Sequence, residues 1–370
     1  MKKRICWITS TYFLDVDIPV VPKLKEDYDI DWVIITNSSL YESDTKVVSS
    51  LSIRDFRIEV IDGLFFSPKV MISYKHLLKE AAKEDYDMYY FDISGMPYFH
   101  ILAKHYLPVD KCVIAAHNVT TPKGARYYHL AKPYMKYVVR NFKKFQVFSR
   151  NQYEVLKTKN TKADILYAPL CLKDYGKPTI EKPEGPVTFL FFGNIVQYKR
   201  LDILLEAVKI LFNKGVLDFK VNICGYCKES LWNEKYQPLL DGLNDIVKTD
   251  IRRIPNELIP NYFEASHYFV MPYQDIAQSG AMTVAFCYNL PVIASELDTF
   301  KEFLNDRKDG YFFESGNAES LAKQMDFLIN NHQNVYCNLR IEQQAMIAKN
   351  LSTEAIVAKY KRFIEEQCQN

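Results

Sequence analysis

Apolar strand patterns alternate with amphipathic helix patterns through the second half of the chain. The run VTFLFFGN at 187–194 is almost entirely apolar up to its glycine, which is typical of a strand covered on both faces. The segment 200–215 follows with apolar residues at helical spacing and a closing glycine. Further strands are predicted at 218–225, 245–254, 268–273, 291–295 and 310–314, and helices near 229–240, from Pro255, and over 279–288 and 318–331. This alternation predicts βαβ units around a parallel sheet.

The first half repeats the alternation less regularly. Its strand-like segments are KRICWITS, DIDWVIITN, RIEVIDG, DMYYFDISG, KCVIAAHN, KFQVFSR and ADILYAPL, with helical segments such as 73–85 between them. The stretch 172–186 is rich in Pro, Gly and charge, and it predicts a linker.

The predicted fold class is α/β, with two Rossmann-like domains facing each other across a cleft. The first domain spans 1–171, the linker 172–186 and the second domain 187–350. A C-terminal helix within 351–370 could cross back to the first domain. Doubly wound folds bind ligands at the carboxyl ends of their strands, so the cleft is the expected binding site.

Composition excludes several classes of protein. The 370 residues carry a net charge of only +2, which gives no reason to expect nucleic acid as a partner. No uninterrupted apolar run is long enough for a transmembrane helix, and the start MKKRICWITSTYFL does not resemble a signal peptide. The expected location is the cytoplasm.

The cysteines predict no redox or metal centre. Eight are dispersed through the chain, and only Cys224 and Cys227 form a CxxC pair. A redox dithiol would have to open a helix in a small βαβ domain, and a zinc site would need further ligands. Small buried side chains are the favoured interpretation.

Two loops at strand ends in the second domain could together bind an anion. In the first, Gly193 lets a ligand approach the backbone and Lys199 adds positive charge, although Lys199 and Arg200 could simply be solvated. In the second, Ser279 and Gly280 precede a helix whose free N–H groups suit phosphate, although an ordinary N-cap explains them equally well. A third loop, at 251–263, could hold a nucleobase or be a plain connection.

In the first domain, a histidine ends a predicted strand. His117 follows the run KCVIAA and precedes the loop 119–124. At the carboxyl end of a parallel strand it would face the cleft, where it could bind a hydroxyl or carry a proton. A structural histidine is the alternative.

A basic segment runs from Lys132 to Lys159. It contains eight Lys or Arg residues and one Glu, with aromatic residues interleaved. That pattern suits a helix lying on an anionic bilayer at the inner face of the membrane. The alternative is a solvated helix whose aromatic residues face the core.

The second domain resembles retaining GT-B glycosyltransferases of the family-4 type (glycosyl transferases group 1). The resemblance rests on FFGNIVQYKRLDILLEA, PNELIPNYFEASHYFVMPY, QSGAMTVAFCYNLPVIAS and DGYFFESGNAESLA, in this order, over about 187–331. The first domain resembles the family only in its alternation of strands and helices and in the histidine at a strand end, His117. The family's pair of glutamates falls on Ile276 and Val284, so both carboxylates are absent, and QSG stands nearby as in a variant found among polysaccharide-assembly members.

The resemblance implies a retaining, hexosyltransferase-type enzyme (EC 2.4). It would transfer sugar from a nucleotide-sugar donor to a saccharide or lipid-linked acceptor in cell-surface polysaccharide or glycolipid synthesis, with no cofactor and no obligatory metal. It assigns His117 and Lys199 to catalysis. The implied donor-binding residues are Gly193, Asn194, Lys199, Arg200, Gln278, Ser279, Gly280 and Glu302. The usual arginine is Asn194 here, and the missing glutamate pair leaves the ribose contact unassigned.

The sequence leaves three alternative functions. A metal-dependent GT-A glycosyltransferase would use a DxD motif, and such triplets begin at Asp15, Asp27 and Asp85; inactivation by EDTA would favour it. A dinucleotide oxidoreductase is disfavoured, because WITSTYFLDVD lacks the glycines of the Gly-x-Gly-x-x-Gly motif that binds dinucleotides. A non-catalytic sugar-nucleotide-binding scaffold subunit is credible because Arg and both Glu are lost.

Overall fold

The computed structural model describes residues 2–42, 45–46, 56–63, 66–121, 127–276 and 278–368. The chain forms two compact units. The first unit comprises Met1–Cys171 and Thr353–Asn370, and the second unit comprises Leu172–Ser352. The predicted linker segment therefore groups with the second unit.

The first unit contains a seven-stranded parallel sheet in the order β3-β2-β1-β4-β5-β6-β7. Its strands are β1 (Arg4–Ser10), β2 (Asp29–Thr36), β3 (Phe56–Val60), β4 (Met88–Asp92), β5 (Cys112–Ala115), β6 (Lys144–Val147) and β7 (Asp164–Tyr167). In β1, Trp7 packs into one hydrophobic cluster while Cys6 and Ile8 pack into the cluster on the other side. A sheet covered on both faces explains the continuous apolar runs of its sequence.

The second unit contains a six-stranded parallel sheet in the order β10-β9-β8-β11-β12-β13. Its strands are β8 (Val187–Phe192), β9 (Phe219–Cys224), β10 (Val247–Asp250), β11 (Tyr268–Met271), β12 (Val292–Ser295) and β13 (Gly310–Phe313). The strand order reverses between β8 and β11. All six residues of β8 are buried. Both units are thus α/β with parallel strands, as predicted.

The helices flank the two sheets. They are α1 (Leu14–Asp17), α2 (Val21–Lys25), α3 (Pro68–Ala81), α4 (Phe99–Tyr106), α5 (Tyr128–Asn141), α6 (Arg150–Lys159), α7 (Leu201–Asn213), α8 (Glu229–Leu231), α9 (Ile259–Glu264), α10 (Gly280–Cys287), α11 (Asp298–Lys301), α12 (Ala318–Asn350) and α13 (Thr353–Gln367). In the described part of the chain, no helix combines the length and apolarity needed to cross a bilayer.

Several predicted elements differ from those observed. The helix predicted at 229–240 is the short α8 followed by a π turn and a 3₁₀ turn, and Pro238 cannot donate a helical hydrogen bond there. The strand predicted at 245–254 ends at Asp250. The helix predicted to end at 331 continues to Asn350, because buried residues recur at helical spacing beyond that point.

The C-terminal helix α13 packs against the first unit. Its buried side chains join the cluster that contains Trp7. The Tyr360 hydroxyl accepts a hydrogen bond from the buried Gln146 amide of β6. The end of the chain therefore completes the core of the first unit.

Candidate functional site

Two glycines bring the loops after β8 and β9 into backbone contact. Gly193 has a φ of +107° and Gly225 a φ of +137°. A Cβ on Gly225 would lie 2.1 Å from the Gly193 carbonyl oxygen, a distance that no side chain tolerates. Gly193 N–H donates to the Cys224 carbonyl at 3.0 Å. Glycine is thus required at Gly225 to bring the Gly193 loop against β9.

Lys199 is buried behind Gly193. Only 8% of the residue is exposed, and a Cβ on Gly193 would lie 3.1 Å from its Nζ. The ammonium lies 5.2 Å from the centroid of the Tyr273 ring. Burial lowers the pKa of Lys199 to about 8, since a desolvated ammonium is disfavoured. Among the described residues no carboxylate pairs with it, so this cation is available to a bound anion.

Arg200 is held by contacts to neighbouring side chains, and its predicted role in donor binding stays a prediction. It adopts a left-handed conformation and its Nε lies 3.1 Å from both oxygens of Asp202. Its Nη1 donates to the Gln274 side chain at 3.2 Å. Lys235 also pairs with Asp202. These contacts tie the Lys199 turn to α7 and to the loop after β11.

Tyr273 and Gln274 connect the lysine turn to the loop that precedes α10. Burial raises the pKa of Tyr273, and the Gln274 N–H donates to the Tyr198 carbonyl at 2.8 Å. Ser279 caps α10 by accepting a hydrogen bond from the Met282 N–H at 3.3 Å. The Ser295 hydroxyl donates to the Tyr273 carbonyl at 2.5 Å. The lysine turn and the loop that precedes α10 are therefore held together within the second unit.

A second cation lies at the N-terminus of α10. A Cβ on Gly280 would lie 3.2 Å from the Lys173 Nζ. The neighbouring segment is anchored to the other end of the helix, where Tyr175 N–H donates to the Tyr288 hydroxyl at 2.9 Å. Free N–H groups, the helix dipole and this ammonium all favour an anion at the same place.

The other predicted donor-binding residues lie around these elements. Asn194 is exposed directly after Gly193, Gln278 is half-buried before Ser279, and Glu302 is half-buried just after α11. In α11 the Thr299 hydroxyl donates to the Ile276 carbonyl at 2.8 Å, which fixes the loop before α10. No contact yet assigns a ligand role to Asn194, Gln278 or Glu302, so their roles stay predictions.

The two positions that replace the expected carboxylates belong to the core. Val284 is 4% exposed within the second unit's hydrophobic cluster, and Ile276 packs against the same cluster. A carboxylate at the buried position of Val284 would lose solvation. Their apolar side chains stabilise the loop and α10 instead.

In the first unit, His117 is tightly positioned. Its Nε2 lies 2.7 Å from the Asp92 Oδ1, and its ring is stacked between Phe13 and Phe148 at centroid distances of 3.8 and 4.3 Å. Its side chain is 10% exposed. The adjacent loop residues 122–124 lie outside the described residues.

A second buried carboxylate lies near the Asp92–His117 pair. Asp17 accepts hydrogen bonds from Trp7 and Thr9. Burial raises the pKa of Asp17, and the nearby Asp92 raises it further. Burial likewise raises the pKa of Asp92. The hydrogen bond to Asp92 and the two stacked rings fix the orientation of His117.

The cysteine pair matches the structural interpretation. Cys224 and Cys227 are both unbridged and buried, and burial raises the pKa of Cys224 to about 12. Within the described residues no group of three His, Cys, Asp or Glu side chains could hold a metal ion.

The interpretation of the basic segment as one surface helix is wrong. Residues 132–159 span α5, β6 and α6. Phe142 and Phe145 are buried, because the chain leaves α5 there and enters the sheet.

Sequence reasoning missed Asp92, Asp17, Tyr273, Gly225 and Lys173. Asp92 could have been found, because it ends β4, the neighbour of the strand that precedes His117. Gly225 also ends a predicted strand. Nothing in the sequence places Lys173 beside α10 or Asp17 beneath Asp92, since both contacts are tertiary.

Comparison with known proteins identifies a domain in the second unit. Residues 186–331 match the family model of Glycosyl transferases group 1. An uncharacterized glycosyltransferase of Haemophilus influenzae is 24% identical over 179 residues, which cover 48% of each chain. The amylovoran biosynthesis glycosyltransferase AmsK of Erwinia amylovora is 28% identical over 144 residues, 37% of this chain and 34% of AmsK. The matched regions thus span half or less of these relatives.

Solved structures resemble the chain over its whole length. A glycosyltransferase of Rickettsia africae has a TM-score of 0.75 at 14% identity and covers 100% of this chain and 99% of its own. Anabaena HepE, solved in complex with UDP, has a TM-score of 0.74 at 11% identity, and the match covers 98% of this chain and 100% of the HepE chain. The fold is that of the GT-B glycosyltransferases, and the second unit carries a glycosyl transferases group 1 domain.

Proposed function

We propose that this protein is a retaining glycosyltransferase that moves a hexose from a nucleotide-diphosphate sugar to a saccharide or lipid-linked acceptor. One observation carries the proposal. Lys199 is nine-tenths buried, has no carboxylate partner among the described residues, and lies against Tyr273 in the loop between β11 and α10. That arrangement suits a diphosphate, and the HepE structure holds UDP on the same fold.

The chemistry follows from the charge that develops on the leaving group. As the glycosidic bond breaks, negative charge accumulates on the nucleoside diphosphate. Lys199 and the N-terminus of α10 would stabilise that charge in a site poor in water, with Lys173 assisting and no divalent metal required. His117, oriented by Asp92, would bind the donor sugar or the acceptor. No side-chain nucleophile is assigned.

The acceptor and setting are part of the same proposal. AmsK belongs to amylovoran biosynthesis, which favours cell-surface polysaccharide or glycolipid as the product. A cytoplasmic enzyme, peripheral on the inner membrane face through the exposed cations of 132–159, fits such a product.

A non-catalytic scaffold subunit is the second candidate. It is favoured by one observation, the replacement of both expected carboxylates by the core residues Ile276 and Val284. Such a subunit would bind the nucleotide sugar but neither transfer nor hydrolyse its sugar.

The test begins with a thermal-shift screen of nucleotide sugars. A donor at 100 times its dissociation constant should stabilise the protein by about 2.7 kcal/mol. Lys199→Ala and Ser279→Ala should weaken binding while the protein remains folded, and full donor affinity in both would refute the site. The anomeric configuration of the product, read from its proton NMR coupling, decides whether the reaction is retaining, and unchanged turnover in EDTA is expected.

A further inference from the structure

A cavity of about 710 Å³ lies in the first unit against one face of α5. Its inner wall is formed by Met135, which is half-buried, and by the buried Val139 and Val119. The volume lies within the range of small-molecule sites and exceeds what a lone phosphate would need. The cavity is therefore large enough for an anionic group together with an apolar portion.

Four cations line this cavity. Lys132, Lys136 and Arg140 recur at intervals of four residues along α5, and Lys159 comes from the end of α6. Within the described ranges none of the four pairs with a carboxylate, and no acidic side chain lines the cavity. Lys132 lies 5.6 Å from the centroid of the Tyr128 ring. An unneutralised group of four cations favours a ligand with more than one negative charge.

The cavity adjoins the loop that carries His117. Val119, Thr120 and Thr121 follow that histidine and line the cavity. The Val119 N–H donates to the buried Gln152 side chain at 2.7 Å, which holds the loop against α6. A ligand in the cavity would therefore lie at the same end of the sheet as the pair of Asp92 and His117.

We infer that this cavity binds a phosphate or diphosphate group joined to an apolar chain, with the anion among the four cations and the chain along Met135 and Val139. The inference rests on the proposed function in one respect, since it assigns this ligand as the lipid part of a lipid-linked acceptor, whose attached saccharide would supply the hydroxyl that receives the hexose. The same chemistry could come from a bilayer headgroup or from a single prenyl diphosphate. The cavity is sized for one molecule, and the single prenyl diphosphate is the ligand assigned.

Farnesyl diphosphate is a suitable probe, measured by isothermal titration calorimetry on the full chain. Inorganic diphosphate and farnesol serve as the anionic and apolar halves of the probe. We expect one-to-one binding that is weaker for either half alone and that falls with ionic strength. The double variant Lys136→Ala/Arg140→Ala should bind about tenfold more weakly or worse.

A matched control removes two cations outside the cavity. Lys75→Ala/Lys162→Ala, at two exposed positions of the same unit, lowers its charge equally and should bind farnesyl diphosphate as the wild type does. Met135→Ser should reduce the advantage of farnesyl diphosphate over inorganic diphosphate. An equal loss of affinity for farnesyl diphosphate in the cavity variant and in the control variant would overturn the inference.

The bilayer source is tested with vesicles of phosphatidylcholine and phosphatidylglycerol. Vesicle binding without binding of farnesyl diphosphate would overturn the assignment to a single prenyl diphosphate. Nucleotide-sugar binding is measured on the same samples. If nucleotide sugars bind and farnesyl diphosphate does not, the inference is wrong and the proposed function stands. If farnesyl diphosphate binds at the four cations and no nucleotide sugar binds, the cavity assignment stands without the proposed function.

Discussion

Replacing Lys199 with methionine should make the unliganded protein more stable and the diphosphate site inactive. The methionine keeps a flexible side chain of similar length against the Tyr273 ring, but it removes the buried ammonium. A site built to bind an anion holds an uncompensated cation while it is empty. The variant therefore separates the contribution of Lys199 to folding from its contribution to binding.

The magnitude follows from the pKa of Lys199. Lowering that pKa from 10.5 to about 8 corresponds to about 3 kcal/mol, at about 1.4 kcal/mol per tenfold change in proton affinity. The interaction of the ammonium with Tyr273 offsets about 1 kcal/mol of any gain. At pH 7 the Lys199→Met variant should gain about 1–3 kcal/mol in free energy of unfolding.

The pH dependence has a definite sign. Because the folded pKa lies below the unfolded pKa, the cost of the charged lysine is fully present below pH 8. It disappears as pH rises from about 8 towards 10.5. The advantage of Lys199→Met should therefore shrink across that interval. Above pH 8 the affinity for a nucleoside diphosphate should fall, by up to about tenfold per pH unit, because binding then requires Lys199 to take up a proton.

Chemical denaturation and calorimetry measure both effects. Lys199→Met should bind a nucleoside diphosphate about 10- to 100-fold more weakly, since it loses a charge-assisted contact. Lys209→Met, on the exposed face of α7, is the matched control and should change neither stability nor affinity appreciably. A destabilised Lys199→Met variant that still binds with wild-type affinity would show that Lys199 neither strains the empty site nor binds the diphosphate.

Other positions give independent predictions. Asp92→Asn should lower kcat about tenfold or more with donor affinity unchanged, since His117 loses its carboxylate partner; steady-state kinetics and donor calorimetry check this, and a loss confined to donor affinity would contradict it. Gly225→Ala should destabilise the protein by about 2–4 kcal/mol, because the added Cβ collides with the Gly193 carbonyl; urea denaturation showing no change would exclude the close approach. Lys173→Ala should weaken nucleoside diphosphate binding about threefold to tenfold, most clearly at low salt, and an unchanged calorimetric affinity would remove this residue from the site.

The architecture was largely predictable from the sequence. Buried parallel strands such as β8 are continuous apolar runs, and Gly193, directly after β8, signals the loop that follows. The start of α10 was also predictable, because Ser279 followed by Gly280 is an N-terminal signal that depends only on local sequence. The extension of α12 to Asn350 was missed, although the spacing of its buried residues continues in the sequence.

The chemical setting of the site was not predictable. The sequence shows a lysine at 199, but its burial against Tyr273 depends on a strand about 70 residues further along the chain. The ion pair between Arg200 and Asp202 could be guessed from proximity, whereas the approach of Lys173 to Gly280 could not. Tertiary packing sets these distances, and local sequence patterns do not predict them.

A crystal structure of the full chain with the nucleoside diphosphate selected by the thermal-shift screen would locate the diphosphate site. We expect diphosphate oxygens within about 3 Å of the Lys199 Nζ and of the first backbone N–H groups of α10, the ordinary distance for charge-assisted hydrogen bonds. A diphosphate bound elsewhere, with Lys199 still buried and touching no ligand atom, would contradict this expectation.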